Sequence, residues 1–246
     1  MTATDTAAGA AAAGTTAADL YRTDLPVRDE LASAHAEILR RWSAPGTWWT
    51  ARRRQAIVTQ VRAALDADPL PPWVAPSSVE GLLDDDAAGL LPSAAVDAVW
   101  RITNYPGTLT RDFYDGVIAA GIEPPAYVEL VGVVAQANNL DRFADALGLD
   151  RLDLPPPSPG EPSRRIGADV AVANHWVPTA ATAVPNVLLA LTAVPAEVDA
   201  WLLLSDAGYV PIANVRGDLV SDHGSLTRPQ IELVATRTSK LDECFY

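Results

Sequence analysis

The longest apolar run of the chain, PPAYVELVGVVAQANNLDRFADALG, limits the fold more than any other feature, and it ends at Gly148. Its valines would also suit a buried strand. Buried strands, however, are usually only about 4–8 residues long. The two leading prolines suit the first turn of a helix, and the final glycine suits its end. The run is therefore predicted to form one long buried helix.

Shorter segments show the same helical spacing of apolar residues. In one of them, Leu31, Ile38 and Trp42 recur on one face. No β-hairpin dipeptide with alternating flanks occurs in the sequence. The sequence therefore predicts an all-α fold. Its further helices are predicted over residues 25–42, 51–67, 92–104, 110–121 and 226–241, with a helix, a break at Pro195 and a second helix over 184–208.

A proline-rich stretch separates the helical segments. Residues 149–179 contain DLPPPSPGEPSRR and show no apolar period, which predicts an extended linker. The favoured interpretation is a linker that wraps around the helices; a ligand for a proline-reading domain is the alternative. Residues 1–18, rich in Ala and Thr, are predicted to be a disordered tail that is too polar for a signal peptide.

Composition excludes several classes of function. The chain has 31 Asp and Glu against 18 Lys and Arg, a formal charge of −13, which argues against nucleic acid or an anionic membrane as partner. No apolar window reaches the ~18 residues of a membrane span. A single cysteine excludes an internal disulfide, and three scattered histidines, His35, His175 and His223, make no metal signature. We expect a cytoplasmic protein without a cofactor.

Two segments of the chain begin alike. Glu129-Leu130-Val131 and Glu232-Leu233-Val234 each lie in an apolar helical context, and the residue twelve positions after each Glu is Asp141 or Cys244. The agreement suggests two degenerate repeats, the first of which has lost the cysteine.

The C-terminal segment resembles the AhpD-like, alkylhydroperoxidase branch of the carboxymuconolactone decarboxylase superfamily. That family's pattern is Glu, eleven residues, Cys, two residues, Cys or selenocysteine, three residues, His; Glu232 and Cys244 match its first two members. The segments RWSAPGTWWT, YDGVIAAGIEPPAYVELVGVVA, RFADALGL, PGEPSRR and HWVP are also similar to those of alkylhydroperoxidase-related (seleno)proteins. The resemblance covers residues 25 to 246.

The pattern places its second redox residue directly after Tyr246, the last residue of the sequence. Selenocysteine is encoded by UGA, which routine translation reads as stop. We therefore hypothesise that the reading frame was closed at a selenocysteine codon, with truncation or gene decay as the alternative. Because Asp242 and Glu243 lie beside it, Cys244 in this chain is expected to be an ordinary thiol.

The resemblance implies an AhpD-like helical fold and a thiol or selenol peroxidase. It further implies a peroxide substrate, a thiol reductant, a homo-oligomer and catalytic roles for Cys244 and Glu232, with activity impaired in the chain as given. The predicted domains are the tail 1–18, a first repeat 19–148, the linker 149–179 and a second repeat 180–246. The main alternative is a non-catalytic helical module for oligomerisation or binding. Lactone decarboxylation, the other branch's activity, ranks lower because no His stands in place of the cysteine.

Three residues of the first repeat have alternative interpretations. Glu129 is expected to be a buried structural acid paired with a basic residue rather than a catalyst. Tyr127 and Asn138 are candidates for lining a pocket.

A straight helix from Glu232 to Cys244 would place these two residues ~18 Å apart along its axis. A break is therefore expected near SKLDE, with Asp242 as the N-cap of a second helix.

Overall fold

The computed structural model describes residues 16–68, 89–210 and 226–241. Within these ranges the chain is predominantly helical, which confirms the predicted all-α fold. The β structure described there is one antiparallel pair of two-residue strands, Val170–Ala171 (β1) and Thr179–Ala180 (β2). The chain divides into two compact units, residues 1–201 and 202–246.

Most helices lie in the first unit, close to the predicted positions. Those predicted over 25–42, 51–67, 92–104 and 110–121 are confirmed, each within a few residues. The helices of the first unit are α1 (Ala17–Tyr21), α2 (Asp29–Trp42), α3 (Ala51–Asp66), α4 (Ser93–Asn104), the 3₁₀ turn Pro106–Thr108, α5 (Arg111–Ala119), α6 (Pro124–Leu147) and α7 (Asn186–Leu189). Helix α8 (Pro195–Gly208) crosses the division between the units, and α9 (Arg228–Leu241) lies in the second.

The predicted disordered tail, 1–18, includes residues that are ordered in the structure, namely the N-cap and the first helical residues of α1. Residues 1–15 lie outside the described residues, but Ala17 is buried and begins α1, whose N-cap Thr16 accepts a hydrogen bond from the backbone N–H of Asp19. The backbone N–H of Ala17 also donates to the Asp29 carboxylate at 3.0 Å. The N-cap and the burial of Ala17 hold the start of α1 in place. The composition of residues 1–18 did not indicate this helix.

Helix α6 forms as the sequence predicts. Prolines 124 and 125 occupy its first turn, where a missing N–H costs nothing, and Gly148 ends it in the left-handed region with φ of 66°. Gly121, with φ of 95°, makes the turn that separates it from α5. The helix is buried along most of its length, so it can carry side chains into the interior of the first unit.

Helix α3 lies at the centre of the first unit, in contact with both α4 and α6. Its Ile57, Val58 and Val61 are fully buried, as are Leu130 and Val134 of α6. Burying a side chain of this size stabilises the fold by about 1.5–3 kcal/mol. The same two helices also bring charged residues into this interior, as described below.

The proline-rich linker wraps around the first unit, as the favoured interpretation predicts. We call residues 152–167 the strap. Its backbone runs along α3 and the turn that precedes it. The hydrogen bonds that hold it there include Ser158 N–H to Ser43 O, Ser163 N–H to Gly46 O, Arg164 N–H to Thr47 O, Gln55 Nε2 to Pro155 O and Arg62 Nη2 to Leu152 O, at 2.6–3.0 Å.

Residues 180–201 belong to the first unit, whereas the sequence predicts them in the second repeat. Leu191, Ala193 and Val194 form a buried apolar cluster with Val128 of α6. Of the helix predicted before Pro195, only the single turn α7 forms. The Thr192 hydroxyl donates to Leu189 O and accepts from the backbone N–H of Ala180, and this local bonding replaces a longer helix.

In the second unit, α9 begins as predicted. Pro229 lies in its first turn, and the backbone N–H of Thr227 donates to the Gln230 side chain at 2.8 Å.

Among the described residues, no single helix is long and apolar enough to cross a membrane. Helices α5 and α6 together have the length and composition for a span, but the chain bends by 117° between them.

Candidate functional site

Glu232 lies in the second turn of α9, where two donors hold its carboxylate. The Tyr209 hydroxyl donates to Oε2 at 2.7 Å, and Arg228 Nε donates to Oε1 at 2.5 Å, one helical turn earlier. The Glu232 side chain is 38% exposed, whereas Arg228 is buried. Each carboxylate oxygen can accept a second hydrogen bond, so Glu232 keeps acceptor sites that solvent can reach.

These contacts keep Glu232 ionised. The hydrogen bonds from Tyr209 and Arg228 hold the pKa of the Glu232 carboxyl below its usual value. Conversely, burial and the bond to Glu232 raise the pKa of Tyr209 to about 12. The pair therefore consists of a carboxylate and a neutral phenol at neutral pH, which is an arrangement that orients a proton rather than one that releases it.

Cys244, Asp242 and Glu243 lie outside the described residues, as does His223. The pairing of Glu232 with Cys244 therefore stays a prediction. Helix α9 continues through Ser239, Lys240 and Leu241, so the break expected near SKLDE does not fall within those three residues. Nine residues of helix separate Glu232 from Leu241 by ~13.5 Å.

Glu129 is buried and paired with a basic residue in the first unit, as expected for a structural acid. It is wholly buried, and its Oε1 lies 3.5 Å from Nε of Arg54 on α3. Its Oε2 accepts hydrogen bonds from the backbone N–H groups of Trp48 and Trp49, which lie in the turn that leads into α3. Burial raises the pKa of the Glu129 carboxyl, while Arg54 and these N–H groups oppose the rise.

A second buried carboxylate, Glu197, lies at the other side of Arg54. Its Oε1 is 3.4 Å from Arg54 Nη2, and its Oε2 accepts a hydrogen bond from Gln136 Nε2 at 2.5 Å. Trp42 Nε1, which can only donate, bonds Gln136 Oε1 and so fixes the orientation of that amide. Burial, with Glu129 adding, raises the pKa of Glu197 to about 7. We call Arg54, Glu129 and Glu197 the buried charge cluster.

Two glycines make room for the carboxylates. A Cβ on Gly46 would overlap Oε1 of Glu129. A Cβ on Gly132 would lie 2.8 Å from Cγ and 2.9 Å from Cβ of Glu197. Both glycines thus allow a backbone to approach a buried acid more closely than any larger residue could.

Asp141, the counterpart of Cys244 in the first segment, is also a structural acid. It is buried and accepts two hydrogen bonds from Arg62, at 2.9 and 3.0 Å. This bidentate pair joins α6 to α3. The position that the sequence comparison aligned with the cysteine therefore holds a carboxylate engaged in packing two helices.

Tyr127 and Asn138 do not line the cleft that the structure shows between α4 and α5. Tyr127 packs edge-on against Tyr114, with ring centroids 5.2 Å apart, and the Asn138 amide bonds Val134 O of its own helix. The cleft has a volume of about 580 Å³ and is lined by Ser93, Ala94, Asp97, Asp112, Phe113, Gly116 and Val117. It contains none of the residues predicted from the sequence to be functional.

The histidines give no metal site in the described part of the chain. No group of three or more His, Cys, Asp or Glu side chains there could hold a metal ion. His175 is exposed in a bend, whereas His35 is fully buried against Tyr21, whose hydroxyl bonds its Nδ1. Burial lowers the pKa of His35 to about 4, with Asn139 opposing, so His35 is a neutral core residue at physiological pH.

The residues that surround Glu129 and Glu232 were not identified from the sequence. Arg54 is one of three consecutive arginines in RRR at 52–54, and only the apolar spacing of α3 indicates which of them faces inward. Glu197 follows Pro195 in a first turn, where an acid is expected at the surface. Arg228 lies one helical turn before Glu232, a spacing that indicates a pair, whereas Tyr209 is 23 residues away from Glu232 and gave no signal. No family model, no curated protein and no solved structure matches this chain.

Proposed function

We propose that the chain is an AhpD-like thiol-dependent peroxidase whose redox centre includes Cys244 and whose Glu232 orients a proton near it. The proposal rests on the ionisation, exposure and hydrogen bonds of the Glu232 side chain. It stands twelve residues before the only cysteine, ionised and half-exposed, with Tyr209 and Arg228 fixing its two oxygens. Held by two donors, the Glu232 carboxylate has a fixed position and keeps acceptor sites for a proton donor.

The proposed chemistry needs only the cysteine and external thiols. The Cys244 thiolate attacks a peroxide ROOH, so that an S–O bond forms as the O–O bond breaks. The leaving RO⁻ takes up the proton that Glu232 orients, which gives a sulfenic acid and ROH. A thiol reductant then condenses with the sulfenic acid, giving a mixed disulfide and water. A second thiol attacks the sulfur of the first and displaces the Cys244 thiolate, so that two thiols become one disulfide and Cys244 is restored. With a second redox residue after Tyr246, that residue attacks the peroxide and Cys244 resolves it.

The test is thiol-dependent consumption of cumene hydroperoxide with dithiothreitol as reductant. It is run on the 246-residue chain and on the chain continued through whatever the reading frame encodes beyond Tyr246. We expect Cys244→Ser to abolish consumption and Glu232→Gln to slow it by about 10²-fold, the lower end for a positioned proton-transfer group. Lys240→Gln, exposed on the same helix, is the matched control and should leave the rate unchanged.

A non-catalytic helical module is the second candidate, and one observation favours it. Leu233, Val234 and Leu241 of α9 are 70%, 60% and 65% exposed. Exposed apolar residues that cluster on one helix are typical of a surface that another chain covers. If both forms of the chain are inert with peroxide while Cys244→Ser folds and assembles like the wild type, this candidate replaces the peroxidase.

A further inference from the structure

The buried charge cluster contains more negative groups than positive ones. Glu129 and Glu197 share the single guanidinium of Arg54, and the exposed fractions of the three side chains are 0%, 2% and 6%. Within the described residues, Arg54 Nε and Glu129 Oε1 make no hydrogen bond. Removing two carboxylates from water is expensive even when both are paired, and here one cation serves two anions.

The other charged groups near the cluster do not balance it. From α2, Arg41 adds a favourable field at Glu197, but its Nη1 donates to Ala196 O and its Nε bonds Glu37. From α6, Gln136 contributes a neutral amide. Around Glu197, the charged groups that the structure places are thus Arg54 from α3, Arg41 from α2 and Glu129 from α6. The excess negative charge in this buried site is most readily neutralised when one of the two carboxyl groups keeps its proton.

We propose that the buried charge cluster is a one-proton clasp, which fastens residues 166–201 to the helices of the first unit and loosens when the proton leaves Glu197. Glu197 is the member of the cluster that belongs to this segment, while Arg54 and Glu129 belong to α3 and α6. The remaining attachments include the apolar packing of Leu191, Ala193 and Val194 on Val128. The clasp is therefore the ionisable part of an interface that also includes this apolar packing and the hydrogen bond from Arg41 to Ala196 O.

The proton belongs to Glu197 because Glu129 has more donors. Glu129 accepts backbone N–H groups from the turn before α3 and faces Arg54 Nε, all of which favour its ionised form. Glu197 accepts one amide N–H, from Gln136. The Arg54 contacts of the two acids, at 3.4 Å for Glu197 and 3.5 Å for Glu129, do not distinguish them. Burial and the neighbouring Glu129 raise the pKa of Glu197 to about 7.

The raised pKa of Glu197 decides in which direction pH changes the docking of the segment. A carboxyl whose pKa is higher in the docked state than in the free segment favours docking at low pH, and the gain is lost as the pH rises to the docked pKa. With values of 4.5 free and about 7 docked, the docking equilibrium weakens about 25-fold between pH 5.5 and pH 8.0. Above that range the loss levels off, because both states are then ionised.

The experiment is amide hydrogen exchange of the full chain at pH 5.5 and pH 8.0, with rates expressed as protection factors. The informative amides are those of Leu191, Val194 and Glu197, which are hydrogen-bonded within the segment. For the wild type we expect protection to fall about 25-fold between the two pH values. In Glu197→Gln, which resembles the protonated acid, protection should be equal at both. Asp199→Asn removes an exposed carboxylate of the same helix and should behave like the wild type.

Equal protection of the wild type at both pH values would overturn the proposal, and so would a Glu197→Gln variant that keeps the wild-type pH dependence. If Glu197→Gln does not fold, infrared spectra of the wild type and Asp199→Asn decide. The carbonyl stretch of a protonated, buried carboxyl should be present in both proteins at pH 5.5 and absent at pH 8.0. Its absence at pH 5.5 would contradict the clasp.

Discussion

The two Glu-Leu-Val segments have opposite surroundings, although their sequences begin alike. In α6, Glu129 is wholly buried with Leu130 beside it, and Arg54 reaches it from another helix. In α9, Glu232 is half-exposed, Leu233 is 70% exposed, and Arg228 reaches the acid from the same helix. One acid therefore joins two helices, while the other stays available at a surface.

The comparison shows that burial, not the choice of residues, decides what a carboxylate–arginine pair does. Desolvation raises the pKa of Glu129, whereas hydrogen bonds from Tyr209 and Arg228 lower that of Glu232. A buried pair is costly to break because one charge is left without a partner. An exposed pair contributes little to stability and leaves its acid free for chemistry.

The largest expected effect is the loss of the shared cation in the buried charge cluster. Arg54→Met should lower the free energy of unfolding by about 3–5 kcal/mol, because it leaves two buried carboxylates without a guanidinium. Urea denaturation at pH 7 measures the change. The matched control is Arg111→Met, which breaks the exposed pair with Asp115 and should cost less than about 1 kcal/mol. Equal costs for the two variants would contradict the difference drawn between buried and exposed pairs.

A smaller effect is expected where a glycine accommodates Glu197. Gly132→Ala places a Cβ against the Glu197 side chain and should destabilise the first unit by about 1–3 kcal/mol. Gly116→Ala in α5, where nothing lies within 4 Å of the new Cβ, should stabilise it by about 0.5–1 kcal/mol. Thermal unfolding of both variants tests this, and a stabilised Gly132→Ala would show that Glu197 has room to move away.

The smallest effect is expected in the second unit. Glu232→Gln should change the free energy of unfolding by less than about 1 kcal/mol at pH 7, because the Glu232 carboxylate is partly exposed and the Gln amide oxygen can still accept a hydrogen bond from Arg228. Since the pKa of Glu232 is lowered in the folded chain, its contribution is present above the unfolded value of 4.5 and is lost as the pH falls below it. Denaturation of wild type and variant at pH 7 and pH 3.5 should therefore show a smaller difference at the lower pH.

Elements with local signals could be predicted from the sequence. Helix α6 has prolines at its start and Gly148 at its end, and its apolar length excludes a strand. The structural role of Glu129 was also predicted, because an acid in a long apolar run must find a cation. The start of α9 was predicted from Thr227 and Pro229, whose preferences depend only on neighbouring residues.

Features that depend on contacts distant in sequence could not be predicted. Arg54 and Glu197 are 143 residues apart, and nothing near either one indicates the other. The placement of residues 180–201 in the first unit rests on the packing of Ala193 and Val194 against α6, which no local pattern shows. Whether Glu232 lies near Cys244 is still a prediction, as is the repeat relationship.

The most direct test is a ¹³C NMR titration of the glutamate side-chain carboxyls in the full chain, with Glu197→Gln and Glu232→Gln used to assign the two signals. We predict that Glu197 titrates near pH 7 and Glu232 below 4.5. The two acids would then be separated by more than two pH units in opposite directions from an ordinary glutamate. Titration of both near 4.5, or in the reverse order, would contradict the claim that burial gives these two acids different roles.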